Sequence, residues 1–507
     1  MPRPRAEACV FILFLLFFLV FQNADDGFDS YVLVLDARDG IAFFHAHHLF
    51  YNSLVHILYR LSIYLGLEPM RTISAVNSIM GAAVLTCVYS IIRHKTSSAA
   101  ALLTTIALGC LHAFWYLATT VEVNISSMMF LSASLFLLLI KPPSAGNSVM
   151  VFSLLALGTL FHQLAALAIV PAFIYEAHRH GSVFRALKYS LPSLISAVFI
   201  YAAIGFSQTG KFSIGELYKW ATMYAHFGTW GTVDRGSLLN SLWGIVKAVF
   251  GGDTIRRVVF GSEASLSHAV YLGAVIISAA GLSALTGYSF RRLFKEKGGY
   301  ERLLASLAAV YSIFACWWTP TDATFWIYPI MMIFPLMAVS AGGGGILRKI
   351  LHISIPLLAA ANIIYEIIPA SSTEKSIPRQ GAAALNKLSL TSEDLLLTNL
   401  NWIGLALNYY YDNDVTTTAL AFRRPEPKEE VLADYISMIE KNRGRVIIFE
   451  NEIKPEPHRR FLYKVFPPQD YVRVYGRYLD DLNVLDSIEV YGKQVRIFEI
   501  LKDTSGQ

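Results

Sequence analysis

Between residues 25 and 52 the chain gathers groups that could move a proton or grip an anion. Asp25, Asp26 and Asp29 come first, then Asp36 and Asp39, then His45, His47 and His48 in the run FFHAHHLFYN. A carboxylate beside an apolar helix can be tuned by burial and serve as a general base, while solvated turn formation is the plain alternative for each. Asp29 in GFDSY has apolar flanks in Phe28 and Tyr31, which sets it apart from Asp25 and Asp26. Imidazoles in an H-x-H-H cluster are donors suited to zinc, copper or nickel. His47 and His48 are adjacent, however, and diverge on any regular element, so hydrogen bonding to a phosphate or hydroxyl is the preferred role. A divalent metal ion is one candidate cofactor.

Further along, Glu122 in WYLATTVEVN ends an apolar run, where a lone carboxylate in hydrocarbon costs several kcal/mol and asks for a partner or a polar cavity. It marks the water interface on the alternative reading. His162 in GTLFHQLAAL is read either as a core histidine or as part of a site. In CWWTPTDATFWIY, Trp318 and its neighbours suit an interfacial anchor, and Pro320 with Asp322 makes a turn. Arg256 and Arg257 are a basic pair that could engage a lipid phosphate or simply be solvated.

Composition decides what must position these groups. Of 507 residues, 54% are hydrophobic and 16% charged, and the charge is uneven: 38 of the 137 residues in 371–507 against 41 in the first 370. An ordinary soluble enzyme is excluded, and a membrane domain, 1–370, is expected to precede a soluble domain, 371–507. Eleven apolar runs are candidate spans: 8–22, 70–92, 97–118, 124–140, 148–162, 163–177, 186–207, 266–288, 302–318, 323–341 and 346–368. With a cytoplasmic N-terminus, Arg93, Lys95, Lys141, Arg179, Arg185, Lys188, Arg291, Arg292, Arg348 and Lys349 all fall inside. Most acids and histidines of the membrane domain then face outward, and so would any chemistry. Basic residues form no stripe with interleaved aromatics, which argues against nucleic acid. The four cysteines show no C-x-x-C spacing and read as small hydrophobes.

The segment after residue 370 alternates strands (LLLTN, VTTTALAF, RVIIFEN) with helices (NWIGLALNYYY, PKEEVLADYISMIEKN) and closes with YVRVY, SIEVY and QVRIFEIL as strands. A small α/β domain with a partly parallel sheet follows. It contains no dinucleotide or P-loop glycine pattern.

The whole arrangement resembles the GT-C superfold of integral membrane glycosyltransferases that use polyprenyl-phosphate sugars, such as protein O-mannosyltransferases and aminoarabinose transferases. The residues that carry the resemblance are Asp29 in FDSY, His47, His48, Tyr51 and Asn52 in HHLFYN, Glu122 in TVEVN, His162 in FHQL, and Trp318 and Asp322 in WWTPTDATFW. The resemblance implies a GT-C-like fold of about eleven spans with an extracytoplasmic α/β domain, and transfer of a sugar from a polyprenyl-phosphate donor to a glycan, lipid or protein acceptor. It also implies inversion at the sugar, with a first-loop Asp as base. Asp29 is the expected base, with Asp25 or Asp26 as the competitors. Arg256, Arg257, His47 and His48 would meet the phosphate, and the remaining residues would line the substrate site. The plasma membrane is the expected location, with the site on its non-cytoplasmic side. A lipid transporter or flippase is the alternative, although no span carries a charge at its centre, where transport would need one.

Overall fold

The computed structural model describes residues 4–223, 231, 236–252, 254–255, 258, 265–293, 298–342, 345–398, 400, 402–418, 428–453, 468–490 and 493–501. Each of the eleven apolar runs coincides with a helix or a pair of helices. In chain order the helices of the first 370 residues are α1 (Pro4–Val20), α2 (Phe28–Asp39), α3 (Leu49–Tyr64), α4 (Pro69–Arg93), α5 (Ser98–Gly109), α6 (His112–Thr119), α7 (Asn124–Ile140) and α8 (Ala145–Phe161). A 3₁₀ turn, Gln163–Ala168, precedes α9 (Ile169–His180) and α10 (Val183–Thr209). After α11 (Ile214–Ala221) and α12 (Ser237–Phe250) come α13 (Leu266–Leu293), α14 (Gly299–Trp318), α15 (Ala323–Ala341) and α16 (Gly345–Asn362). By length and composition, and among the described residues, five are able to cross a membrane, or six if the bent pair α5–α6 is one span.

That pair turns by 70° at Cys110–Leu111. A sharp break frees carbonyls that hydrocarbon cannot satisfy. Asn362 answers it, its amide donating to Cys110 O at 2.8 Å and to Val249 O at 2.6 Å. Beyond Asn362 the helix widens into a π turn, Ile363–Ile367, which places the buried Glu366 beside His112 with Oε2 3.7 Å from Nδ1. Gly251 must be glycine there: its φ is +75°, and a Cβ would strike the Glu366 carboxyl.

The chain divides into two compact units, residues 1–23 with 36–369, and residues 24–35 with 370–507. In the first, α4 is central and packs on α1, α3, α5, α6 and α7, with close approach to α6 permitted by Gly81 opposite Ala118. In the second, a five-stranded sheet has the order β2-β1-β3-β5-β4. Its strands are β1 (Leu395–Leu397), β2 (Thr416–Thr418), β3 (Val446–Phe449), β4 (Leu482–Val490) and β5 (Lys493–Ile500), the first three mutually parallel and β5 antiparallel to both β3 and β4. Strands β1 and β3 are buried throughout, as strands covered on both faces must be. Its longer helices after residue 370, among the described residues, are α17 (Ile377–Lys387), α18 (Trp402–Tyr411), α19 (Lys428–Lys441) and α20 (Pro468–Tyr475).

Helix α20 corrects the reading of YVRVY as a strand. Its alternation of apolar and polar residues is real, but Tyr471, Val474 and Tyr475 are the buried ones, at helical spacing, while Val472 is 68% exposed. Those three join Leu395, Leu397, Leu432, Tyr435, Ile439, Val446 and Ile448 in one core.

Candidate active site

The run FFHAHHLFYN folds back on itself because Asn52 and Ser53, in the first turn of α3, donate to Ala42 O at 2.9 Å and Phe43 O at 3.0 Å. Ala42 takes a positive φ of 48° in doing so. The fold-back brings three imidazoles together. His45 stacks on His48 with ring centroids 4.2 Å apart, lies 5.8 Å from His47, and His48 in turn faces His162 at 6.4 Å. Trp318 closes the group at 6.5 Å from His47.

Hydrogen bonds fix the tautomers. Asn52 Oδ1 lies 2.5 Å from His48 Nδ1, and since Asn52 gives its amide hydrogens to Ala42, that oxygen accepts and Nδ1 donates. His48 therefore presents a lone pair at Nε2. His162 does the opposite: Nδ1 accepts from Leu164 N at 3.2 Å, so its proton rides on Nε2. The histidine thus caps the 3₁₀ turn that follows α8. Burial holds His45 and His47 down to about 4, and His48 well below the ordinary imidazole range, so at neutral pH the cluster is uncharged.

Gln163 and Tyr201 tie the histidine loop to the helices behind it. Gln163 N donates to His47 O at 3.1 Å, while its side chain reaches Ala46 O at 3.0 Å and Tyr201 Oη at 2.8 Å. Tyr201 donates to the same carbonyl at 2.9 Å. On the adjoining side, Asn77 of α4 gives its amide to Tyr51 Oη (2.9 Å), Thr120 O (2.7 Å) and Glu122 O (3.0 Å), all buried. Glu122 is 6% exposed, in the turn where α6 gives way to α7. Next to it, Tyr328 of α15 donates to Asn124, and Tyr311 of α14 donates to Leu164 O at 3.2 Å.

His47, His48, Asn52, His162 and Trp318 are thus brought into one cluster, with Tyr51 and Glu122 joined to each other through Asn77. Asp322 works as a helix cap, Oδ1 accepting from Thr324 N at 2.9 Å and Thr324 Oγ1 at 2.8 Å. Arg256 and Arg257 lie outside the described residues. The residues missed by sequence were Asn77, Gln163, Tyr201, His112 and Glu366. Gln163 follows His162 directly, and Glu366 is an acid inside the apolar run IIYEII, so both left a trace.

Asp29 belongs to the second unit and stands in the first turn of α2, exposed, with Phe28 beside it 45% exposed. Its apolar neighbours do not cover it. Asp26 is the buried member, at 1% exposure. No group of three or more His, Cys, Asp or Glu among the described residues could hold a metal ion.

A family described as dolichyl-phosphate-mannose-protein mannosyltransferase matches residues 54–206, the stretch that carries Asn77, Glu122, His162 and Tyr201. Among solved structures, ArnT from Cupriavidus metallidurans bound to undecaprenyl phosphate superposes with a TM-score of 0.57 at 11% identity, covering 98% of both chains. The chain has the fold of a GT-C glycosyltransferase. It is an integral, multi-pass membrane protein. Two further GT-C structures are similar more distantly: AglB of Archaeoglobus fulgidus in complex with an inhibitory peptide and a dolichol-phosphate (12% identity, 88% of this chain and 69% of that one, TM-score 0.45), and the mycobacterial arabinofuranosyltransferase AftD (11%, 100% and 42%, TM-score 0.47). No curated protein is similar enough in sequence to match.

Proposed function

We propose that this protein transfers a sugar from a polyprenyl-phosphate donor to an acceptor hydroxyl on the non-cytoplasmic face of a membrane, with inversion, and that Asp29 is the general base. The proposal includes eleven crossings, an inside N-terminus and an outside C-terminal domain. The observation that carries it is the mannosyltransferase match over 54–206, because this segment supplies His162 and the Asn77–Glu122 network to the polar cluster at the helix ends. The fold shared with an ArnT that was solved with undecaprenyl phosphate adds support.

The chemistry is economical. The acceptor oxygen attacks the anomeric carbon, its proton passes to the Asp29 carboxylate, and the carbon–oxygen bond to the phosphate breaks with its electron pair leaving on the phosphate. A phosphate leaves without a strong acid, so one base suffices. For this role exposure is an asset: a base must touch the hydroxyl it deprotonates, and Asp26 is too enclosed to do so. The uncharged histidines would meet the phosphate through N–H hydrogen bonds alone, and its charge would be offset by Arg256, Arg257 or a bound divalent ion. His48 Nε2, a lone-pair acceptor, suits a sugar or acceptor hydroxyl.

Purified protein given dolichyl-phosphate mannose or undecaprenyl-phosphate aminoarabinose and candidate acceptors is expected to release polyprenyl phosphate. Asp29→Asn should lower turnover by about 10² to 10⁴ while leaving donor binding in place. Wild-type turnover in Asp29→Asn with loss in Asp26→Asn moves the base to the adjacent pair. Lipid movement across vesicles without any transfer would overturn the reading in favour of a flippase.

A further inference from the structure

Asp25, Asp26 and Asp29 belong to a unit whose larger part lies far away in sequence. Residues 24–35 form one compact unit with 370–507, beginning with Ala24 N, which donates to Ala370 O at 2.8 Å. Tyr31, two residues beyond Asp29, is fully buried. Its ring meets Tyr409 edge-on at 6.0 Å and Tyr410 at 6.3 Å, two residues at the end of α18 that themselves pack edge to face at 4.9 Å. The Arg379 guanidinium of α17 lies over the Tyr410 ring at 4.8 Å. Residues two apart on a helix point to nearly opposite sides, which is why Tyr31 is enclosed while Asp29 is exposed.

We propose that Tyr409 and Tyr410 are positioning residues for the sugar-transfer base: they clamp Tyr31, and through it fix the direction in which Asp29 leaves the first turn of α2. This deepens the function proposed above and rests on it. Aromatic edge contacts suit the task, since each ring has few rotatable bonds and a preferred angle to its neighbour. Burial together with the nearby Asp26 charge keeps the Tyr31 phenol protonated. The clamp therefore holds its proton across the working pH range. A base held within about half an ångström of its productive position accelerates transfer, and one left to swing does not.

The full-length protein in detergent allows two independent readouts. Hydrogen exchange of the 24–35 peptide should quicken by about tenfold or more in Tyr409→Ala/Tyr410→Ala, with strands β1 and β3 as protected as in wild type, because opening is local. Turnover of dolichyl-phosphate mannose should fall by about 10- to 100-fold in kcat with the donor KM nearly unchanged. Tyr409→Phe/Tyr410→Phe, which keeps both rings, should retain most protection and most turnover. Unchanged exchange in the double alanine variant overturns the clamp, and so does faster exchange with wild-type kcat. If β1 and β3 also lose protection, Tyr410→Leu replaces the double variant, and the same two readouts decide. Full activity in Asp29→Asn defeats the base assignment of the preceding section, whereas the exchange result speaks only to the clamp.

Discussion

A neutral imidazole offers one donor and one acceptor, and the partner of one nitrogen decides what the other presents. At His48 the Asn52 carbonyl takes the Nδ1 proton, so His48→Gln, whose amide can rotate, should keep part of the turnover while His48→Leu loses it by about 10-fold or more. The cluster also writes a pH signature. The folded values of His45 and His47 lie near 4, below the ordinary 6.5, so the unfolded chain binds more protons between these limits. Their contribution is whole above pH 6.5 and is lost as pH falls toward 4. Thermal melts at pH 7.5 and 5 should therefore show lower stability at pH 5, by on the order of 1–2 kcal/mol per histidine, and His45→Gln/His47→Gln should flatten the difference. Asn77→Ala removes one donor from three buried acceptors, a loss of about 1–3 kcal/mol that a melt would detect. The histidines and Glu122 could be picked out in the sequence because their types carry chemistry wherever they stand. Asn77 could not: it sits in an apolar helix, and its importance comes from two carbonyls more than forty residues ahead.

Among the elements, hydropathy located the helices well because an apolar run long enough to cross a bilayer has few other fates. What hydropathy lacks is direction. The run 97–118 looks continuous, yet the chain bends by 70° at Cys110–Leu111, where the Cys110 carbonyl is met by Asn362 from another helix. Asn362→Leu should accordingly destabilise the protein by about 2–4 kcal/mol, since two carbonyls lose their donor where water is scarce, and proteolysis or melting in detergent would report it. Periodicity failed in one place for a related reason. YVRVY alternates as a strand should, but its buried set is chosen by Leu432, Tyr435 and Ile439 across the core, and these demand helical spacing. Local pattern proposes and the partner surface disposes.

At the level of the molecule, reporters fused after Gln22, Lys141 and Gln507 are expected to read outside, inside and outside, because the basic residues at helix ends alternate in that sense. A cytoplasmic reading at Gln507 would remove the α/β domain from the side assigned to the chemistry. Charge density changes near residue 370, and the second compact unit joins 24–35 to 370–507. Composition could not reveal that a dozen residues from the other end, 24–35, also belong to it, since membership there is decided by Tyr31 finding Tyr409 and Tyr410. That membership bears on biosynthesis. Residues 24–35 leave the ribosome early, but the residues they pack against come after more than three hundred others. At roughly 5–20 residues per second, the acidic loop waits on the order of 20–70 s for its partner, exposed and unfinished. On the proposed mechanism, a ribosome that stops short would release a chain whose first loop lacks the residues it packs against.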